Sequence, residues 1–407
     1  MTATLLAPVT APATAKRPWI SVYAVMFFST WAGNQFSPLL LLYKQREHYS
    51  AFAVNGFLGV YVLGLGPAFL LSGALSDRYG RRPVMFGGVL AALAASTALA
   101  FGGSGPLMIC VGRFLAGIAV GTATCVGTSW LKELSQPPYD LRADAGSGAR
   151  RATTSFALGS ATGALVAGLI AQWGPWALQL PYLIHVVLTV PFAWLVLRAP
   201  ETAGSPGPLS GRLRVPAAGH RRFVRVVAVA APWLFVAPSL TYGYLPVLLE
   251  KTTGTLGIGY ATLLCVLALG TSALVQPWAK RLDRVDSARG LVIAISVITV
   301  GVALAAAANQ LQSWMAGLAV AVVMGGGIGV GMVSGILEVQ RIAGPSDLAG
   351  LTGVFYAIAY TGFLTPTLLA AMAGTTGTTG PLLGLTALGV LCLLALVTAG
   401  RRHLPAR

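Results

Sequence analysis

The chain has 407 residues, of which 56% are hydrophobic and only 9% charged, with a formal net charge of +16 and a mean hydropathy of +0.75. Soluble domains carry about 25% charged residues. A water-soluble enzyme, a secreted scaffold and a disordered tail are therefore excluded, and the length of the apolar runs points to membrane-spanning helices rather than barrel strands.

Residues 1–18, rich in Ala, Pro and Thr, read as a cytoplasmic tail. Lys16 and Arg17 precede about 25 apolar residues, too many for a signal-peptide core. A spanning helix needs about 20 mostly apolar residues. Twelve runs meet that need: 19–43, 51–75, 83–102, 106–131, 152–173, 178–197, 226–249, 259–279, 290–308, 313–337, 351–373 and 381–399. The longest link, 198–225, divides them. The expected fold is all-α, with twelve transmembrane helices in two six-helix halves over 19–197 and 226–399. The link 198–225 and the tail 400–407 lie in the cytoplasm.

Basic residues set the orientation. With the N-terminus inside, 23 of the 27 basic residues fall in inside segments, Lys44, Arg46 and Lys251 fall outside, and Arg113 lies within a span. This split places both termini in the cytoplasm of a multi-pass cell-membrane protein. It also accounts for the charge without nucleic acid, because such residues face anionic headgroups. An offset of 206 residues carries Asp77-Arg78 onto Asp283-Arg284, each pair just after the second span of its half. That is the pattern of a parallel repeat of two halves.

The segment after the second span reads Gly73-Ala74-Leu75-Ser76-Asp77-Arg78-Tyr79-Gly80-Arg81-Arg82-Pro83. Gly73 lets neighbouring helices approach, Gly80 permits a turn with positive φ, and Asp77 is an acceptor suited to capping a helix N-terminus. The segment resembles the signature loop of the major facilitator superfamily, Gly-x-Leu-x-Asp-Arg-x-Gly-Arg-Arg, at every defining position. The resemblance implies a gating motif of Gly73, Asp77, Arg78, Gly80, Arg81 and Arg82, with Asp77 holding the other half near the start of span eleven. The degraded second copy keeps Asp283 and Arg284.

Arg113, in Gly112-Arg113-Phe114-Leu115-Ala116-Gly117, is similar to the family's fourth-span Arg-x-x-x-Gly. Its cost at a helix centre, about 2.5–3.5 kcal/mol, leaves two readings: a cavity-lining charge for solute or proton coupling, or an arginine snorkelling to the headgroups. Glu133 with Arg150-Arg151 resembles the family's Glu…Arg pattern, and Glu338 with Arg341 and Asp347 looks like its second copy. Solvated helix ends are the alternative for both. Gly159 to Gly168 resembles the fifth-span motif of drug–proton antiporters, with Ala164 in place of its proline and Ala167 in place of a closing glycine.

All eleven acids lie in loops or at span ends. Coupling would then use Glu250, Glu338 or His185, or an ion other than the proton. His185 reads first as a hydrogen-bonded structural residue, and Glu250 as a rim carboxylate, either solvated or shifted by burial. Cavity candidates are Trp31, Asn34 and Gln35 on span one, Asn55 on span two, Tyr242 and Tyr244 on span seven, and Tyr356 and Tyr360 on span eleven. Helix–helix hydrogen bonding or an interfacial aromatic belt is their alternative.

The four cysteines, Cys110, Cys125, Cys265 and Cys392, sit in apolar runs without metal-ligand or disulfide spacing. No nucleotide-binding GxxxxGK[ST] loop, metal cluster or nucleophile–base pair is visible. The expectation is a secondary transporter, not an enzyme, with no cofactor, catalytic residue or metal. Its partners would be a small organic solute, a proton or sodium ion and the lipid bilayer. The first reading is ion-coupled efflux of a drug or metabolite. Uptake of a sugar or other polar nutrient, and a non-transporting receptor or scaffold on the same fold, are the alternatives.

Overall fold

The computed structural model describes residues 17–143, 147–202, 215–282, 284, 287–343 and 348–400, and its regular elements are helices. The first apolar run is broken in two. α1 (Trp19–Asn34) gives way to a 3₁₀ turn at Ser37–Leu39, and the chain resumes as α2 (Leu40–Arg46). Pro38 is the cause: it has no N–H to continue the ladder, and its ring crowds the preceding turn. α3 (Ala51–Tyr79) is capped by Ser50, whose Oγ accepts from the Ala53 amide at 3.1 Å. It runs through Asp77 and Arg78, so most of the expected loop is helix. Gly80 alone, at φ +103°, turns the chain into α4 (Arg81–Ala100).

α5 (Pro106–Leu134) contains a π-helical turn at Ala123–Gly127, and α6 (Ser147–Trp173) and α7 (Leu180–Val196) follow. α8 (Phe223–Leu248) is the least regular helix, with π-helical turns at Phe223–Val227 and Ser239–Tyr244. Its three prolines, Pro232, Pro238 and Pro246, each remove a backbone donor. α9 (Gly257–Leu282), α10 (Arg289–Leu311) and α11 (Trp314–Ile342) come next. The run expected at 351–373 is also interrupted: α12 (Leu348–Tyr360) passes through a 3₁₀ turn at Thr361–Leu364 into α13 (Thr365–Thr376). α14 (Thr379–Gly400) is last. Among the described residues ten helices are long and apolar enough to cross a membrane; α1 has 16 residues and α7 has 17.

The tightest crossing joins α3 to α5. A Cβ on Gly64 would lie 2.0 Å from the Phe114 carbonyl oxygen, and one on Gly117 would lie 2.1 Å from that of Tyr61. Only backbones with nothing on that side pack so closely. Gly73 corrects its expected role: a Cβ there would meet nothing within 4 Å, so it is not a helix-contact glycine.

Helices from before and after the 203–214 segment also pack against each other. Phe69 of α3 stacks on Tyr356 of α12 at 5.1 Å, and Tyr61 lies 6.2 Å from Tyr360. Phe235 of α8 stacks on Tyr360 at 3.7 Å. Gln172 near the end of α6 donates to the Thr255 carbonyl at 2.7 Å and accepts from the Gly259 amide at 2.7 Å. Stacked pairs are worth about 0.5–1.5 kcal/mol each beyond area burial, so this aromatic seam is a substantial join. Leu63, Val187, Leu274 and Leu391, all well exposed, form the outer apolar surface that acyl chains would cover.

Candidate functional site

At one end of the bundle the signature segment is a web of ionic contacts. Arg81 donates to Asp77 Oδ1 at 2.5 Å, to Glu133 Oε1 at 2.9 Å and to Ser76 Oγ at 2.6 Å. Glu133 therefore holds Arg81, which corrects its expected pairing with Arg150-Arg151. Arg151 instead donates to Asp140 Oδ2 at 2.7 Å and to Ser135 at 2.8 Å, and stands over the Trp19 ring. The hydrogen bond from Arg151 holds the Asp140 carboxyl below the usual carboxylate range.

Asp77 does not cap α4. Glu201, just after α7, does so: its two oxygens accept from the Arg81 amide at 2.7 Å and the Arg82 amide at 2.9 Å. Arg82 in turn donates to the Ala199 carbonyl at 2.7 Å. Sequence reasoning missed Glu201, because the residues it serves lie 120 and 119 positions away. Gly80 brings these groups together, and a Cβ there would lie 2.6 Å from Glu201 Oε2. Arg78 stands beside the Tyr79 ring. Asp283 lies outside the described residues, and so do 344–347, which include Asp347 of the expected second-copy group. Arg284 forms an isolated bridge with Ser287 and accepts from Arg341 at 3.2 Å through its carbonyl.

Glu338 is 1% exposed and is not a free carboxylate. Arg222 Nε and Nη2 hold it in a two-pronged pair at 2.6 and 2.7 Å, and Arg341 adds a third bond at 2.8 Å. Arg222 also donates to the Gly400 carbonyl at 3.0 Å. One buried guanidinium thus ties the start of α8, the end of α11 and the end of α14.

Arg113 is 1% exposed, which removes the snorkelling reading. Its guanidinium donates to the Gly33 carbonyl at 3.0 Å and the Phe57 carbonyl at 3.3 Å. It lies over the rings of Tyr61 and Phe36 at 4.4 and 4.7 Å. Gly33 belongs to the last turn of α1, whose carbonyls lose helical partners at the Pro38 break. A cation there satisfies a carbonyl and complements the helix dipole.

His185 has the structural role expected of it. Its Nε2 donates to the Phe28 carbonyl at 2.8 Å, because a carbonyl only accepts. Nδ1 then accepts from Ser96 Oγ at 2.8 Å, and Ser96 accepts from Gln35 Nε2 at 2.8 Å. Trp31 Nε1 donates to Gln35 Oε1 at 3.2 Å and closes the chain. Gln35 and Trp31 therefore belong to a hydrogen-bonded seam joining α1, α4 and α7, which corrects their placement as cavity groups. Asn55 is also buried and donates to Ala51 of its own helix at 2.8 Å. Asn34 is half-buried, and its register puts it on the side of Thr30 rather than Gln35. Tyr356 and Tyr360 lie in the aromatic seam, and Tyr242 is buried.

Glu250 is partly exposed but not free. It pairs with Lys44 at the end of α2 and accepts from Gln45 Nε2 at 3.0 Å. This contact lies at the end of the bundle opposite the Asp77 segment, since α3 begins there and ends at Tyr79. A cavity of about 430 Å³ opens beside it, and Tyr244 is on its wall.

Comparison with known proteins agrees with this architecture. The Major Facilitator Superfamily model matches residues 19–362, and the chain belongs to that family of multi-pass membrane transporters. The uncharacterized MFS-type transporter YybF of Bacillus subtilis is 25% identical over 46% of this chain and 45% of its own length. The multidrug transporter QDR2 of Candida glabrata is 31% identical over 36% of this chain and 24% of its own. Quinidine resistance protein 1 of Saccharomyces cerevisiae is 26% identical over 36% of this chain and 25% of its own. The chain thus matches from about a quarter to under half the length of these relatives. A POT family transporter solved with 5-aminolevulinic acid superposes with a TM-score of 0.76 over 97% of this chain and 98% of its own, at 10% identity. A D-xylose–proton symporter superposes with a TM-score of 0.67 over 93% of this chain and 96% of its own, at 16% identity.

Proposed function

We propose that this chain is a secondary active exporter of amphiphilic organic solutes. It works by alternating access between two six-helix halves, 19–197 and 226–399, with twelve spans and both termini in the cytoplasm of the cell membrane. The observation that carries the reading is the Lys44–Glu250 pair. The two residues are 206 positions apart, the same offset that relates the two copies of the Asp-Arg segment and the starts of α3 and α9. Each follows an irregular stretch, the Ser37–Leu39 break in span one and the Ser239–Tyr244 π turn in span seven. Interrupted helices in equivalent positions of a repeat mark the moving and binding segments of many transporters. In this reading the pair closes the outer end, and the Asp77 web governs the inner one.

Export rather than uptake is supported by the drug-resistance relatives and by the aromatic seam, which offers ring faces and hydroxyls but no free mid-membrane carboxylate. We assign Arg113 to holding the break of span one in register, so that the outer segment bearing Lys44 can swing. Proton coupling, on this reading, runs through Glu250. The ion pair keeps the carboxylate charged while the outer end is closed, and separation of the pair frees it to take a proton.

The test is flux in proteoliposomes, with quinidine as the first solute and imposed pH or sodium gradients. Proton-driven movement of quinidine out of the compartment matching the cytoplasm supports the reading. Accumulation of sugars or nucleosides instead would replace it with uptake.

A further inference from the structure

The cavity beside Lys44 and Glu250 is separated from the Asp77 web by the length of α3, 29 residues or about 40 Å. At about 430 Å³ it falls in the range of small-molecule sites, about 300–1,000 Å³. Its charged groups are Lys44, Lys251 and Glu250. Glu250 is already engaged by Lys44 and Gln45, whereas Lys251 is exposed and bonds to none of the described residues. The wall therefore carries one uncommitted positive charge. Lys44 retains further donor capacity, since an ammonium has three N–H groups.

The rest of the lining suits an organic body rather than an inorganic ion. Val247, Leu248 and Ala370 give an apolar surface. The amide nitrogens of Asn309 and Gln312 are spent on Thr378, Thr379 and the Asn309 carbonyl. Their side-chain oxygens are the groups left to receive a donor from a bound molecule.

We propose that this cavity is a vestibular binding site for small organic monoanions, with the carboxylate held by Lys251 and Lys44 and the apolar body lying on Val247 and Leu248. A carboxylate drawn to Lys44 competes with Glu250 for it. Occupancy therefore loosens the contact that joins α2 to the segment just after α8. The site itself does not depend on the export reading; only its description as external does.

Three aryl probes of similar size differing in charge test it on the purified full chain: benzoate, benzamide and benzylamine. Ala373, on the cavity wall, is replaced by cysteine. The rate of modification by a membrane-impermeant maleimide is then measured, with labelling of the parent chain subtracted. Benzoate is expected to slow labelling several-fold and saturably, with little effect from the amide or the amine. Lys251→Gln is expected to abolish that protection without changing the unprotected rate. Equal protection by all three probes, no protection by benzoate, or protection that survives in Lys251→Gln would overturn the proposal. The readout involves no transport, so a failed flux assay leaves it standing.

Discussion

Lys44 and Glu250, 206 residues apart in sequence, meet in an ion pair that joins the end of α2 to the segment just after α8. The two side chains are 29% and 27% exposed. A pair this wet is worth about 0–1 kcal/mol, a strength that suits the proposed role of a contact broken during transport.

Glu250→Gln should therefore leave the melting temperature of the purified protein almost unchanged while opening the end of the bundle at which it sits. Impermeant labelling of a cysteine placed at Leu248 should accelerate. Lys44→Glu combined with Glu250→Lys should restore the slow rate, whereas either reversal alone should not. Equal labelling in the parent and all four variants would show that the pair is incidental.

The Arg222–Glu338 pair should behave in the opposite way. It is buried on both sides, and removal of one partner strands a charge. Glu338→Gln should cost about 3–5 kcal/mol, read as a large fall in melting temperature and yield. Replacing Arg222 and Glu338 together by Met should recover much of that loss. A Glu338→Gln protein as stable as the parent would contradict the triad.

Gly80 and Glu201 can be tested together. Gly80→Ala forces a side chain into φ +103° and against Glu201 Oε2, for a cost of about 1–3 kcal/mol. Glu201→Ala removes the cap of α4 and should cost about 1 kcal/mol. Thermal unfolding of the two variants and of their combination checks both. The combined loss should be smaller than the sum, because the clash disappears with the carboxylate.

Arg113→Gln should depress flux strongly, and Arg113→Lys should restore it only in part. A single ammonium does not span the Gly33 and Phe57 carbonyls as the guanidinium fork does. Normal flux in Arg113→Gln would remove Arg113 from the working of span one.

These contacts divide by how local they are. The turn at Gly80 was readable because a glycine between two charged, helix-length runs has a local cause. The cap from Glu201 and the Lys44–Glu250 pair were not readable, because each joins segments more than a hundred residues apart that only the packed bundle brings together. Pro38 breaks span one, but the apolar run 19–43 reads as one continuous helix. Hydropathy reports burial in lipid, not continuity of the hydrogen-bond ladder. Trp31, Asn34 and Gln35 read as cavity groups, whereas Gln35 and Trp31 are buried in a hydrogen-bonded seam. Polarity alone could not separate a solute cavity from a seam satisfied by Ser96 and His185.

The central claim is that the Lys44–Glu250 end must open for solute to move. The most direct measurement is flux of solute down its own gradient, which needs no proton carrier at Glu250, through a Lys44→Cys, Glu250→Cys protein in proteoliposomes, before cross-linking, after cross-linking with a short bifunctional thiol reagent that is cleavable by reductant, and after reduction. Alternating access predicts quinidine flux that stops on cross-linking and returns on reduction. Flux that continues at its initial rate through the cross-linked protein would contradict it.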